Sequence, residues 1–461
     1  MLNLVEALAN VSGASQPAIR LILSVLLAYP LGALYRKLNV SIIVKNLYIA
    51  STGIALVIFN YGFDVYHSAL AVFVTYLLNA FLATSSLLVP ISFCFHMGYL
   101  LIGYYFTTSE TYDIKWTMPH CVLVLRLIGL AFDISDSYQK ELQGKRDDKC
   151  VGKPSPLELI AFTYFPASVL VGPQFSMIRY RRFVSGQYEQ HTVEAPMYSI
   201  KKFLQGAFYL IVNQVGSQFV SDSYLLSSDF EQESFFMKHI YMGLWGRFSL
   251  YKYISIWLLA EGATVLFGLT YIDAKPGERE YDSDELSGCT NIKVGIFENT
   301  SKFGHYVESF NVQTNHWVAI YVYKRLKFLN NRVLSHFGAL LFLAVWHGFH
   351  SGYYVTFLME FLVIRMEKEI EPVLLKNERL QTFLQHTMIK LAVFLLLKFY
   401  TIVFAGWCLI PFVFLSFSKW WHIYCAVRFS GILLFLLGNI FIKPLLLVIL
   451  PQNKQELKKS D

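Results

Sequence analysis

Charge is what this 461-residue chain has least of: 15% of its residues are Asp, Glu, Lys or Arg, 55% are hydrophobic, and the mean hydropathy is +0.44. A soluble domain carries about 25% charged residues, so the composition excludes a soluble enzyme and leaves a polytopic membrane protein. Between Asp64 and Glu110 there is no Asp, Glu, Lys or Arg at all. At about 20 residues per span that stretch can cross a bilayer twice, with Pro90 near its middle. Cysteine is also scarce. Cys94, Cys121, Cys150, Cys289, Cys408 and Cys425 are scattered with no C-x-x-C pair, which excludes a disulfide scaffold and leaves reduced or buried thiols. No internal repeat, low-complexity tract or soluble-domain boundary is present, so one membrane domain over 1–461 is expected. Ahead of the first apolar run there is no basic segment with a cleavage site, so that run is expected to stay as a signal anchor.

What is there is a series of apolar runs near 18–35, 41–63, 119–132, 157–178, 203–220, 239–271, 333–364, 387–417 and 421–450, besides the uncharged stretch. Several are long enough for two helices, and they predict an all-α bundle of about ten or eleven transmembrane spans. Two connections are polar: Asp133–Glu158, of mixed sign, and 273–310, acidic and turn-rich in "DAKPGEREYDSDELSGC". The net charge of +7 is modest and unevenly placed. Arg179, Arg181, Arg182, Lys201 and Lys202 cluster in one connection, and Lys324, Arg325, Lys327 and Arg332 in another. The positive-inside bias puts both in the cytosol; no nucleic-acid partner is expected. The 451–461 tail is basic, and its Lys458 and Lys459 stand where dilysine retrieval signals of endoplasmic-reticulum proteins stand. N-x-S sequons at Asn10, Asn39 and Asn299 matter only if their loops are lumenal.

One apolar run, "ALLFLAVWHGFHSGYYVTFLMEFL" from Ala339 to Leu362, is interrupted by polar groups. On a continuous helix His347, His350, Ser351 and Tyr354 fall at i, i+3, i+4 and i+7, one polar stripe on an apolar rod. Ionisable groups at membrane depth face a partner or a water-filled cavity, so the stripe marks a candidate site, with interhelical hydrogen bonding as the plainer alternative. A metal centre needs several converging imidazoles; the other ten histidines are dispersed singly, and no metal is expected. A lone histidine, with a reference pKa of about 6.5, can serve as a general base toward a hydroxyl that attacks an activated acyl group. Asn311 and Asn315 in "SFNVQTNHWV" are candidate neutral donors for the oxyanion, or simply helix caps.

"FNVQTNHWVAIYVYKRLKFL" followed by "LLFLAVWHGFHSGYYVTFLMEFL" resembles the paired active-site segments of the membrane-bound O-acyltransferase family. "VGPQFSMIRYRRF" and the Trp245–Tyr271 segment resemble its lysophospholipid acyltransferase branch, nearest the type-3 lysophosphatidylcholine acyltransferases. The resemblance extends from about residue 150 onward. It implies a reaction chamber within the helices, His347 as the catalytic base and Asn311, 36 residues upstream (347 − 311), as its catalytic partner. His350, Ser351, Tyr354 and Asn315 become candidate lining. It also implies acyl-CoA as donor, the free sn-2 hydroxyl of lysophosphatidylcholine or a related lysophospholipid as acceptor, no cofactor, and a homodimer as the partner state found in the family. The phosphates of coenzyme A would suit Lys324, Arg325, Lys327 and Arg332, although positive-inside topology also explains them.

Elsewhere, the Gly-Pro of "VGPQF" would break a helix at membrane depth and free backbone groups to line the chamber. Glu261 and Lys252 are expected to be satisfied within the bundle, and Trp346 and Tyr353 to be packing. The competing functions are another acyltransferase of the family, with a sterol, diacylglycerol or protein acceptor, and a lipid transporter or scramblase, for which inverted repeats would be the sign.

Overall fold

The computed structural model describes residues 2–109, 114–145, 147–272 and 285–450; the dilysine pair Lys458 and Lys459 and residues 273–284 of the polar connection lie outside them. Among the described residues the fold is helical, and the only β pairing is an isolated antiparallel bridge between Ile292 and Phe310. Eleven helices have sixteen or more residues. They are α1 Gln16–Tyr35, α2 Ile42–Tyr61, α3 Val65–Leu82, α4 Leu88–Thr107, α5 Thr117–Leu142, α6 Ala195–Phe219, α7 Phe235–Phe267, α8 Arg332–His347, α9 Ser351–Leu375, α10 Thr387–Phe414 and α11 Ser430–Ile449. Among the described residues seven stretches are long and apolar enough to cross a membrane, and one of them, Ile42–Leu82, holds both α2 and α3.

The 33-residue α7 is the central post, packed along α1, α6 and α10. It approaches α10 closely because both carry glycine at the crossing: a Cβ on Gly246 would come within 2.3 Å of the Gly406 Cα. Small residues let two backbones meet where lipid gives no hydrophobic drive. A buried charged pair on this post joins Lys202 to Glu261, 2.8 Å apart, and Glu261 also accepts from the Thr290 hydroxyl at 2.7 Å. Glu261 is thereby paired inside the bundle through its Oε1, as its sequence context suggested.

The run near 157–178 does not continue as one helix. A short helix, Pro156–Thr163, ends in a buried irregular segment through Gln174. Its carbonyls would be orphans at this depth. Arg126 of α5, 3% exposed, donates to the carbonyls of Phe162, Thr163 and Pro173 at 3.1–3.2 Å and to the Ser168 hydroxyl at 2.9 Å, with its guanidinium 4.3 Å above the Phe175 ring.

Both basic clusters lie at the same end of the bundle. Arg36 after α1 donates to Thr192 O, Lys45 of α2 pairs with Glu189, Arg182 with Asp148, and Arg325 with Asp136 near the end of α5. From that end α8 runs inward, its first turn capped by Asn331, whose side-chain oxygen accepts the amides of Val333 and Leu334. Sixteen residues at about 1.5 Å each carry His347 about 24 Å from the basic end.

Candidate active site

The wall that carries His347 is broken where a single helix was expected. Helix α8 stops at His347, Gly348 takes φ +119 and ψ −157, and α9 starts at Ser351 with His350 as its cap residue. That backbone region is open essentially to glycine alone, so the chain bends there and the stripe of four polar groups does not form. His347 and His350 remain on the wall of a common cavity; Ser351 and Tyr354 leave it. The Ser351 hydroxyl instead accepts from the Trp420 indole at 3.4 Å.

Aromatic packing, not a carboxylate, holds the His347 imidazole. It meets Phe412 edge-on at 4.9 Å between centroids and lies 5.3 Å from Tyr353 and 5.6 Å from Phe357. Among the described residues neither ring nitrogen has a hydrogen-bond partner in the protein. The nitrogens are therefore available to a substrate. Trp346 donates to Cys121 O at 3.0 Å and ties this end of α8 to α5, while His350 sits 3.2 Å from Thr108 beyond α4. Trp346 and Tyr353, expected to be packing, both pack and line the cavity.

Asn311 reaches the same cavity from a different segment. It follows the Ile292–Phe310 bridge, adopts a left-handed conformation with φ 52 and ψ 42, and precedes the short helix Val312–Val318. Asn315 does not line the cavity. Its amide donates to Val307 O and Phe310 O at 2.8 and 2.9 Å, bracing the turn that presents Asn311. Of the two asparagines, the structure puts Asn311 beside the chamber and gives Asn315 a structural task.

The cavity holds about 820 Å³. Besides His347, His350 and Asn311, its wall includes Tyr104, Gln174, Asn213, Lys252, Tyr253 and Asn291. Among the described residues no Asp or Glu lines it, whereas Lys115 and Lys252 do. Lys252, expected to be absorbed in the bundle, is thus a chamber residue. Val171, Gly172 and Gln174 of "VGPQF" line the wall as the helix-breaking pair suggested. Lys324, Arg325, Lys327 and Arg332 lie outside this lining, and the Arg325 guanidinium grips the Asp136 carboxylate through both of its terminal nitrogens.

Sequence comparison bears directly on this chamber, for the model of the membrane-bound O-acyltransferase family (MBOAT) matches residues 100–410, which include the wall residues from Tyr104 to Tyr353. The chain belongs to the membrane-bound O-acyltransferase family. This MBOAT protein is a multi-pass membrane acyltransferase. It is similar to a lysophospholipid acyltransferase 5 of Drosophila melanogaster, 48% identical over 441 residues, covering 93% of this chain and 87% of that protein. A Homo sapiens protein of the same name is 37% identical over 462 residues, with 98% and 94% coverage. A lysophospholipid acyltransferase of Saccharomyces cerevisiae is 27% identical over 320 residues, with 61% and 50% coverage.

The MBOAT chamber also contains residues that the sequence pattern missed. Asn213 and Gln214, adjacent on α6, meet Asn291 only through the packing of α6, α7 and the 285–311 segment. No spacing in the chain signals them.

Proposed function

We propose that this protein is a lysophospholipid O-acyltransferase of the endoplasmic-reticulum membrane that transfers a fatty acyl chain from acyl-CoA to the free sn-2 hydroxyl of lysophosphatidylcholine, and to lysophosphatidylethanolamine and lysophosphatidylserine, in phospholipid remodelling. The observation that carries the mechanism is that His347 and Asn311, 36 residues apart and on different segments, line one cavity free of carboxylates among the described residues. Acyl-CoA is anionic and the lysophospholipid headgroup carries a phosphodiester anion, and a chamber whose described charges are Lys115 and Lys252 suits both.

In this reading an imidazole nitrogen of His347 takes the proton of the glycerol hydroxyl as its oxygen bonds to the thioester carbonyl. The Asn311 amide donates to the oxygen on which negative charge develops. The tetrahedral species collapses, the carbon–sulfur bond breaks, and the proton held by His347 passes to the departing thiolate. Ester and free coenzyme A are the products, and no cofactor is required. His350 is a lining residue. Lys324, Arg325, Lys327 and Arg332 receive the nucleotide phosphates at the basic end, which faces the cytosol together with the 451–461 tail. The whole of 1–461 acts as one domain, and the assembly is a homodimer.

Release of coenzyme A by the purified protein in nanodiscs tests the proposal, with acyl-CoA and either lysophosphatidylcholine, a sterol, a diacylglycerol or a peptide as acceptor. Release dependent on lysolipid and lost in His347→Ala supports it. Turnover only on a non-phospholipid acceptor would sink it.

A further inference from the structure

Asparagine is among the preferred residues for capping a helix, where its side-chain oxygen accepts the amide of the second or third helical residue. Asn311 occupies that position for Val312–Val318, yet its side chain makes no capping bond. The capping bonds come from elsewhere in the chain. The Gln313 amide donates to the side-chain oxygen of Asn291 at 3.0 Å, and the Val312 amide donates to the Asn291 carbonyl, also at 3.0 Å. We infer that Asn291 is a positioning residue that caps this helix in place of Asn311 and so releases the Asn311 amide to the reaction chamber.

Three further contacts fix Asn291 where this substitution can occur. The Lys293 amide donates to Ser309 O at 2.8 Å beside the Ile292–Phe310 bridge, which sets the register of the two segments. The Gln313 side chain donates back to Thr290 O at 3.1 Å. Thr290 in turn hangs on Glu261, the partner of Lys202. The buried ion pair of α6 and α7 is therefore connected, bond by bond, to the turn that displays Asn311. Asn291 is 4% exposed and lines the chamber itself.

Without the Asn291 side chain the Gln313 amide loses its acceptor in a partly buried place, an unfavourable state that a local group would relieve. Asn311 is the nearest capable group by its position in the chain. A cap formed by Asn311 would draw its amide out of the chamber. The inference rests on the proposed role of Asn311 and concerns the acceptor oxygen of Asn291, so an aspartate, which keeps that oxygen and caps well, should substitute for it.

The test is steady-state acyl transfer by purified full-length protein with acyl-CoA and lysophosphatidylcholine, alongside thermal unfolding. Asn291→Ala should lower kcat about tenfold or more, the scale of losing most of one oxyanion donor, with KM for acyl-CoA unchanged. Asn291→Asp should keep kcat within about threefold of the native protein, a shift below 1 kcal/mol in barrier. Native kcat in Asn291→Ala, or a loss in Asn291→Asp as deep as in the alanine variant, overturns the inference. If the alanine variant does not fold, the aspartate variant alone decides: retained kcat supports the capping role and lost kcat overturns it. Asn311→Ala, measured in parallel, separates the two levels, since full activity there removes the catalytic reading, whereas an inactive Asn311→Ala beside a native-like Asn291→Ala removes only this inference.

Discussion

The indole N–H of Trp346 donates to the carbonyl of Cys121 at 3.0 Å, so the residue just before the candidate base is bolted to the facing wall of the chamber. Helix α8 ends one residue later, and among the described residues nothing else polar holds His347. A base held by its neighbour's hydrogen bond and by three aromatic rings is placed by packing, and each component of that placement can be removed separately.

Removing the base itself should be the most severe change. His347→Ala is expected to lower kcat by about 10²–10⁴-fold, the usual contribution of a positioned general base, while leaving the thermal unfolding midpoint close to the native one. Coenzyme A release at saturating acyl-CoA and lysolipid measures it, and a variant with native turnover would remove His347 from the chemistry.

Trp346→Phe keeps the packing and deletes the bond to Cys121. The expected result is a drop in kcat with KM for either substrate little changed, and a stability loss of about 1 kcal/mol for the hydrogen bond removed. Denaturation followed by near-ultraviolet absorbance, together with kinetics, separates the two effects.

The asparagines should divide cleanly. Asn311→Ala is expected to lose about 10²–10³-fold in kcat, as when an oxyanion donor is removed, without marked destabilisation. Asn315→Ala loses two donors to backbone carbonyls and should instead lower stability by about 1–3 kcal/mol. Reversed phenotypes would mean that the turn presents Asn315 to the substrate.

At Gly348 the chain reverses direction with φ +119. Gly348→Ala places a Cβ 3.3 Å from the Tyr104 ring as well as in a disfavoured backbone region. The strain is about 1–3 kcal/mol, and because it falls between His347 and His350 it should reduce turnover more than it reduces expression. Activity per mole of folded protein is the measurement, and unaltered activity would show that the break tolerates a side chain.

Arg126 has four oxygen partners and no carboxylate among them. Its role is to satisfy the irregular segment that carries Gln174 to the chamber wall. Arg126→Met should strand those oxygens at membrane depth and yield little folded protein, whereas Arg126→Lys should fold but with a lowered unfolding midpoint, since an ammonium cannot reproduce the guanidinium fork. Equal stability of Arg126→Met and the native protein in detergent would refute the bracing role.

The membrane character of the chain, its all-helical class and the pairing of a W-H-G element with an upstream asparagine were legible in the sequence, because each depends on local composition or on motif residues a few positions apart. Even the break at "VGPQF" could be read, since proline and glycine act on the backbone where they stand. The stripe from His347 to Tyr354 misled for a related reason: helical periodicity assumes that the backbone stays helical, and Gly348 permits a conformation that the side-chain pattern does not announce.

Hydropathy and motif thus determined the membrane class and the acyltransferase family, and pointed to His347 and Asn311 as the residues to test. Tertiary structure decided how they are held. The capping by Asn291, the brace from Arg126 and the bond from Trp346 to Cys121 all depend on groups distant in sequence. Such contacts are set by the packing of whole helices, and a linear pattern carries no record of which carbonyl or amide that packing brings within 3 Å.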